Sequence, residues 1–168
     1  MATVLFCPVT FNLAETTRMI QVAHALDSSH RVVFMGYETD FVELIRDAGF
    51  DYRACEPSWT RAQRDQAIAF DQGRSFRSPF TPALVGARVE LERRMIRELG
   101  AAAVVTGSNL TSFISARAER VPLFYPVPFP LTRPQVAQAK HLALVGGRGW
   151  LARAADRVAT SVFRWIYN

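Results

Sequence analysis

The sequence is short of the residues that build cross-links, metal centres and membrane spans. Only two cysteines occur in its 168 residues, Cys7 and Cys55, and they lie far apart. Small secreted domains are stapled by many disulfides, so these two read instead as reduced core residues of a cytoplasmic protein. Histidine is almost as scarce. His24, His30 and His141 form no pair at helical or hairpin spacing, and no metal site is expected. No run of about 18 apolar residues appears, so no membrane-spanning helix is expected either. The opening MATVLFCPVTFN carries no basic stretch ahead of its apolar run and reads as a first strand, not a signal peptide. Lysine is nearly missing too: of twenty basic residues only Lys140 is a lysine. The arginines that make up the rest are spread along helical segments and form no cluster interleaved with aromatics. The net charge of +5 therefore outlines no nucleic-acid footprint.

What is present makes a folded domain. A hydrophobic fraction of 49% against 21% charged residues supports a core, and the length suits one ordinary domain rather than two. Along the chain, strand-like and helical patterns alternate. Ala2–Pro8 is a short β-rich run, and Met19, Ile20, Ala23 and Leu26 recur at helical spacing from about Leu13. HRVVFMG (30–36) is a second strand, Asp40-Phe-Val-Glu43 opens a second helix with a capping pattern, and Gly49 closes it. Asp51–Ala54 is a third strand.

The region 55–82 breaks the rhythm, with Trp59, Phe70, Phe76 and Phe80 set among polar residues. It reads as a short helix near Thr60–Asp71 followed by a mobile loop. Thr81-Pro82 then caps a long helix ending at Gly100. A strand at Ala102–Thr106, a helix through Arg120 and a strand at Val121–Tyr125 follow, then a proline-rich stretch, then an amphipathic helix over 150–168. The pattern predicts one α/β domain over 1–168, with a mostly parallel sheet and helices on both faces. In such sheets ligands bind outside the carboxyl ends of the strands, which singles out the loops at 8–13, 36–40, 55–59, 107–110 and 125–130.

Three stretches carry a family resemblance: VLFCPVTFNLAETTRMIQVAHAL, SSHRVVFMGYETDFVELIRDAGFDY and AAAVVTGSNLTSFISARAERVPLFYPVPFP. In order and spacing they resemble the N-terminal, acceptor-side Rossmann-like half of GT-B glycosyltransferases of the UGT and macrolide-transferase kind. The resemblance spans most of positions 3 to 130. It implies no resident cofactor and no metal. A UDP- or dTDP-sugar donor would be bound mainly by a second, C-terminal domain that this sequence does not contain. The chain is then expected to be a fragment, or to work with a separate donor-binding subunit. Its function would be to hold a small hydrophobic or lipid acceptor for inverting transfer of a hexose, without competence alone. The alternative is a non-catalytic partner, a pseudo-enzyme that binds a small molecule or activates a second subunit. A third reading, another Rossmann-like nucleotide binder, lacks a glycine-rich first turn, and Val145–Gly149 does not fit a dinucleotide fingerprint.

In the family a histidine after the first strand deprotonates the acceptor hydroxyl and an aspartate after a later strand holds it. Deprotonation matters because an alcohol is a poor nucleophile toward the anomeric carbon. Counting back from Ala25-Leu26 places the histidine at Glu15, and the aspartate near Gly107, beside Ser108 and Asn109. Glu15 is thus the candidate base. The spacing Asn12-Leu-Ala-Glu15 equally makes a capping box, in which Glu15 would return to the Asn12 backbone. The candidate acceptor contacts are Thr10, Phe11, Asn12, Trp59, Phe76, Phe80, Ser108, Asn109 and Pro128. In the tail, Trp150, Trp165 and Tyr167 with Arg148, Arg153, Arg157 and Arg164 could lie on an anionic membrane or pack on a neighbouring domain.

Overall fold

The computed structural model describes residues 1–26, 28–71, 74–128, 132, 134–135 and 149–167, with the backbone alone for 71 and 163–167. They fall in two compact units, Met1–Pro126 and Val127–Asn168.

The first unit is built on five strands, β1 (Ala2–Cys7), β2 (His30–Gly36), β3 (Asp51–Ala54), β4 (Ala101–Thr106) and β5 (Leu123–Phe124). They form a single sheet in the order β3-β2-β1-β4-β5, with every neighbouring pair parallel. Parallel strands need crossovers, and the helices that supply them cover both faces, so the central strands read as unbroken apolar runs. Their side chains alternate between two cores. Leu5, Val33, Met35 and Val104 face one core, together with Met95 and Ile96 of α4 (Pro82–Leu99) and Ala116 of α5 (Leu110–Ala118). Val4, Phe6, Phe34 and Val105 face the other, together with Met19 and Ile20 of α1 (Leu13–Leu26) and Ile45 of α2 (Val42–Asp47). The α/β class with a parallel sheet is as the alternation of patterns predicts.

Local chemistry sets the boundaries. Thr81 caps α4 by accepting the Leu84 N–H, Pro82 occupies its first turn, and Gly100 ends it in the left-handed region. Helix α3 (Arg61–Asp71) opens with a capping box: Thr60 Oγ1 accepts the Gln63 N–H while Gln63 Oε1 accepts the Thr60 N–H. Three expectations need correction. Helix α2 begins at Val42, not Asp40, with Phe41 at its cap and no side-chain capping bond. The Asp40 carboxylate is instead paired with Arg64 of α3. Helix α5 stops at Ala118, because Arg120 takes a left-handed φ of 58°. Strand β5 is only two residues long, since the Val121 N–H is held by Ala116 of the preceding helix and Pro122 has no N–H to give.

In the second unit, α6 (Trp150–Tyr167) buries Thr160 while Leu151, Val158 and Val162 are exposed. Of the glycine-rich stretch Val145–Gly149, residues 145–148 lie outside the described residues, as do Lys140, His141 and the side chains of Arg164, Trp165 and Tyr167. No helix is long and apolar enough to cross a membrane among the described residues.

Candidate functional site

Strand order reverses between β1 and β4, the two strands that lie side by side although β2 and β3 separate them in sequence. Loops leaving such a pair part to opposite faces and open a crevice at their carboxyl ends. A cavity of ≈ 840 Å³ lies there. Val9, Phe11 and Asn12, with Leu13 and Ala14 of the first turn of α1, form one side, and Gly107, Ser108 and Leu110 after β4 form another. Trp59, Phe70, Phe80 and Phe113 complete an aromatic lining. Its polar side chains come from Asn12, Ser108 and Tyr125, and among the described residues no Asp, Glu, His, Lys or Arg lines it. A smaller cleft of ≈ 400 Å³ touches Met1, His30 and Asp51, where β1, β2 and β3 begin, and so sits at the end of the sheet that crossovers leave unused.

The two loops at the crevice are joined by Glu15. It is 1% exposed, and its Oε1 accepts the Val9 N–H at 2.8 Å. Both carboxylate oxygens lie 3.1 Å from the Ser108 N–H. Half of the expected capping box forms, because Asn12 Oδ1 accepts the Glu15 N–H at 3.2 Å. The other half does not: the Asn12 N–H goes to Val9 O, and the Glu15 carboxylate is committed to Val9 and Ser108. Gly107 is the reason it can reach. A β-carbon there would stand 2.4 Å from both Cδ and Oε1 of Glu15.

Of the other residues singled out in the sequence, Phe11, Asn12, Trp59, Phe80 and Ser108 line the cavity. Thr10 lies beneath it, fully buried, with its hydroxyl donating to Glu38 O at 2.6 Å. Asn109 is buried and turned inward, where its Nδ2 donates to Glu92 Oε1 at 3.1 Å and to Ser112 Oγ at 2.8 Å. Phe76 is fully exposed, away from the lining. Pro128 belongs to the second unit.

Behind the cavity lies a polar network absent from the sequence reading. Arg88 and Glu92, one turn apart on α4, are 3% and 1% exposed. Arg88 Nη2 pairs with Glu38 Oε1 at 3.1 Å, and its Nε donates to Pro57 O at 3.0 Å. The guanidinium carbon sits 3.9 Å from the Tyr37 ring centroid and 4.7 Å from that of Trp59. Glu92 is satisfied by hydroxyl and amide donors: Tyr37, Asn109 and Thr111 on Oε1, and Ser115 on Oε2 at 2.5 Å. Burial pushes the Glu38 carboxyl up from its ordinary range, and Arg88 opposes that shift. Burial also raises the Tyr37 hydroxyl, with the nearby Glu92 charge adding to the effect. The signal was present in the sequence. Arg88 and Glu92 fall in phase with Met95, Ile96 and Leu99, on the stripe that packs against the sheet.

Cys7 and Cys55 are both free and buried, and burial raises both thiols, Cys55 to about 11. No group of three His, Cys, Asp or Glu residues that could hold a metal ion occurs among the described residues.

No protein-family model matches the chain, and no curated protein matches it in sequence. Solved structures do match in fold. The MurG structure of Acinetobacter baumannii superposes with a TM-score of 0.56 at 14% identity, over 74% of this chain and 34% of that one. The glycosyltransferase SnogD of Streptomyces nogalater gives 0.54 at 17%, over 96% and 41%. Phytolacca americana UGT2, solved with UDP-2fluoro-glucose and pterostilbene, gives 0.52 at 11%, over 99% and 46%. The chain therefore has the fold of one Rossmann-like half of a GT-B glycosyltransferase, and it spans less than half the length of these three. At such identities the likeness shows fold alone: the C-terminal domain of a Pyrococcus furiosus hydrogenase also matches, with a TM-score of 0.51 at 11% identity, over 75% of this chain and 91% of that domain.

Proposed function

We propose that this chain is the acceptor-binding half of a nucleotide-sugar-dependent glycosyltransferase, holding a small hydrophobic acceptor in the cavity at the carboxyl ends of β1 and β4. The observation that carries the reading is the cavity itself. It lies at the reversal point of the sheet, is walled by aromatic side chains, and offers Asn12 and Ser108 as the few polar groups that can orient a hydroxyl. In transfer, the acceptor oxygen would form a bond to the anomeric carbon as the bond from that carbon to the nucleotide breaks, with inversion. The hydroxyl proton would pass to a base. A UDP- or dTDP-sugar would be held mainly by a donor-binding domain or separate subunit.

Glu15 has the sequence position of the family's base, but its carboxylate is spent on two backbone N–H groups and it does not line the cavity. We assign it the role of a clamp between the two loops. With no carboxylate or imidazole on the lining among the described residues, the second reading gains support: the chain binds a small molecule, and chemistry enters from a partner or not at all. The experiment is a transfer assay with UDP-glucose and pterostilbene on the chain alone and with a donor-binding GT-B half supplied in trans. Product only in the presence of the second half supports the first reading. Binding of pterostilbene with no product in either arrangement supports the second. Product from the chain alone contradicts both.

The exposed Leu151, Val158 and Val162 of α6, flanked by exposed Arg153 and Arg157, give the chain a face suited to an anionic lipid surface. Co-sedimentation with phosphatidylglycerol vesicles, lost in Val158→Asp, checks it.

A further inference from the structure

The cavity wall is shaped from behind. Arg88 grips the Trp59 segment in two ways at once: its Nε holds the Pro57 carbonyl at 3.0 Å, and its guanidinium faces the Trp59 ring at 4.7 Å. Its other side is fixed by Tyr37 at 3.9 Å and by the Glu38 carboxylate at 3.1 Å, so the guanidinium plane itself has little freedom. Trp59, by contrast, does not orient itself. Its buried indole Nε1 has no hydrogen-bond partner among the described residues. The indole is positioned by Arg88, by Phe80 in an edge contact at 5.1 Å and by Phe11 at 6.0 Å. Phe11 and Phe80 line the cavity with it, whereas Arg88 does not.

We infer that Arg88 is a positioning residue that fixes the plane of the Trp59 indole, and that the cavity thereby selects planar aromatic ligands over flexible aliphatic ones. The inference rests on the cavity being the ligand site. A flat ring gains by offset or edge contact only against an aromatic wall of fixed orientation, while an alkyl chain packs against any apolar surface. Lysine at 88 would keep the charge opposite Glu38 but has no flat face to present to Trp59 and no fork to hold both Glu38 and Pro57.

The test starts without ligand. In a background of Trp150→Phe and Trp165→Phe, the tryptophan band of the near-ultraviolet circular dichroism, at longer wavelength than the tyrosine and phenylalanine signals, reports Trp59 alone. Arg88→Lys is expected to lose most of the Trp59 band while the protein still unfolds cooperatively. It is also expected to bind pterostilbene about tenfold more weakly and 1-decanol within about twofold of wild type. An unchanged band overturns the positioning, whatever the ligands do. Equal weakening toward both ligands overturns the selection. No binding of either ligand by the wild-type chain, with the band lost in Arg88→Lys, refutes the cavity reading and the selection with it, and leaves the positioning standing. Glu38→Gln leaves an amide oxygen to accept Arg88 Nη2, so the guanidinium stays fixed on Trp59 while the charge of the pair is removed. It is expected to keep the band and the preference, and loss of both would trace them to the ion pair and overturn the inference even where Arg88→Lys does not fold.

Discussion

The Glu15 carboxylate lies so close over Gly107 that a β-carbon at 107 would stand 2.4 Å from it. These residues are 92 positions apart, yet each fixes what the other can be: the glycine admits the carboxylate, and the carboxylate ties the loop after β4 to the loop after β1.

Gly107→Ala is therefore expected to destabilise the fold by about 1–3 kcal/mol, the usual cost of forcing an extra group into a closed site. Urea unfolding of the variant reads this as a lower midpoint. A midpoint equal to wild type would show that Glu15 yields freely.

Glu15→Gln separates the clamp from the base. The amide oxygen at the Oε1 place can still accept both the Val9 and Ser108 N–H groups, but the NH₂ then takes the Oε2 place, 3.1 Å from the Ser108 nitrogen, donor facing donor with no acceptor, at a cost of about 1–3 kcal/mol. The clamp predicts that loss of stability. Full stability, together with lost turnover in the reconstituted transferase, is the result a catalytic base would give.

Much of this architecture was legible in the sequence, and the reasons are local. The strands are apolar runs bounded by turn residues, Thr81-Pro82 and Gly100 bracket α4, and Asn12 sits at the head of α1. The alternation of patterns made the sheet parallel, and the sheet placed the site at the ends of β1 and β4. Partners far apart in sequence were not legible. The spacing from Asn12 to Glu15 points to a capping box, and nothing near residue 15 announces that its carboxylate reaches Ser108. Phe76 and Phe80 look alike in sequence, but Phe80 packs on Trp59 and Phe76 does not reach the cavity. Arg88 and Glu92 look like surface charges on a helix until their phase with Met95 and Ile96 is noticed.

Glu92→Ala would remove the acceptor shared by Tyr37, Asn109, Thr111 and Ser115, and each of the four has a second acceptor in reach: Arg88 O, Ser112 Oγ, Asn109 Oδ1 and Thr111 O. Losing the charged acceptor is expected to cost roughly 1.5–3 kcal/mol, the worth of one hydrogen bond to a charged group. Thermal unfolding checks it, and a midpoint equal to wild type would mean that the second acceptors take over completely.

Alkaline stability follows from the buried thiol. Cys55 stands at about 11 in the folded chain against an ordinary 9.0, so between these values the folded state holds a proton that the unfolded state has released. This contribution is intact below about pH 9 and is lost as pH rises toward about 11. A urea midpoint falling through that window in wild type, and falling less in Cys55→Ala, is the expected result. The same burial predicts that iodoacetamide at pH 8 labels Cys7 and Cys55 only after unfolding.

The central claim is that the aromatic cavity is a ligand site, and calorimetric titration with pterostilbene tests it most directly. Wild type should bind with saturable heat, and Ala67→Trp, which places a large side chain on the lining without removing any buried contact of Trp59 or Glu15, should fold normally and bind at least about tenfold more weakly. Binding that is unaffected by Ala67→Trp, or no binding by the wild-type chain, would contradict the account.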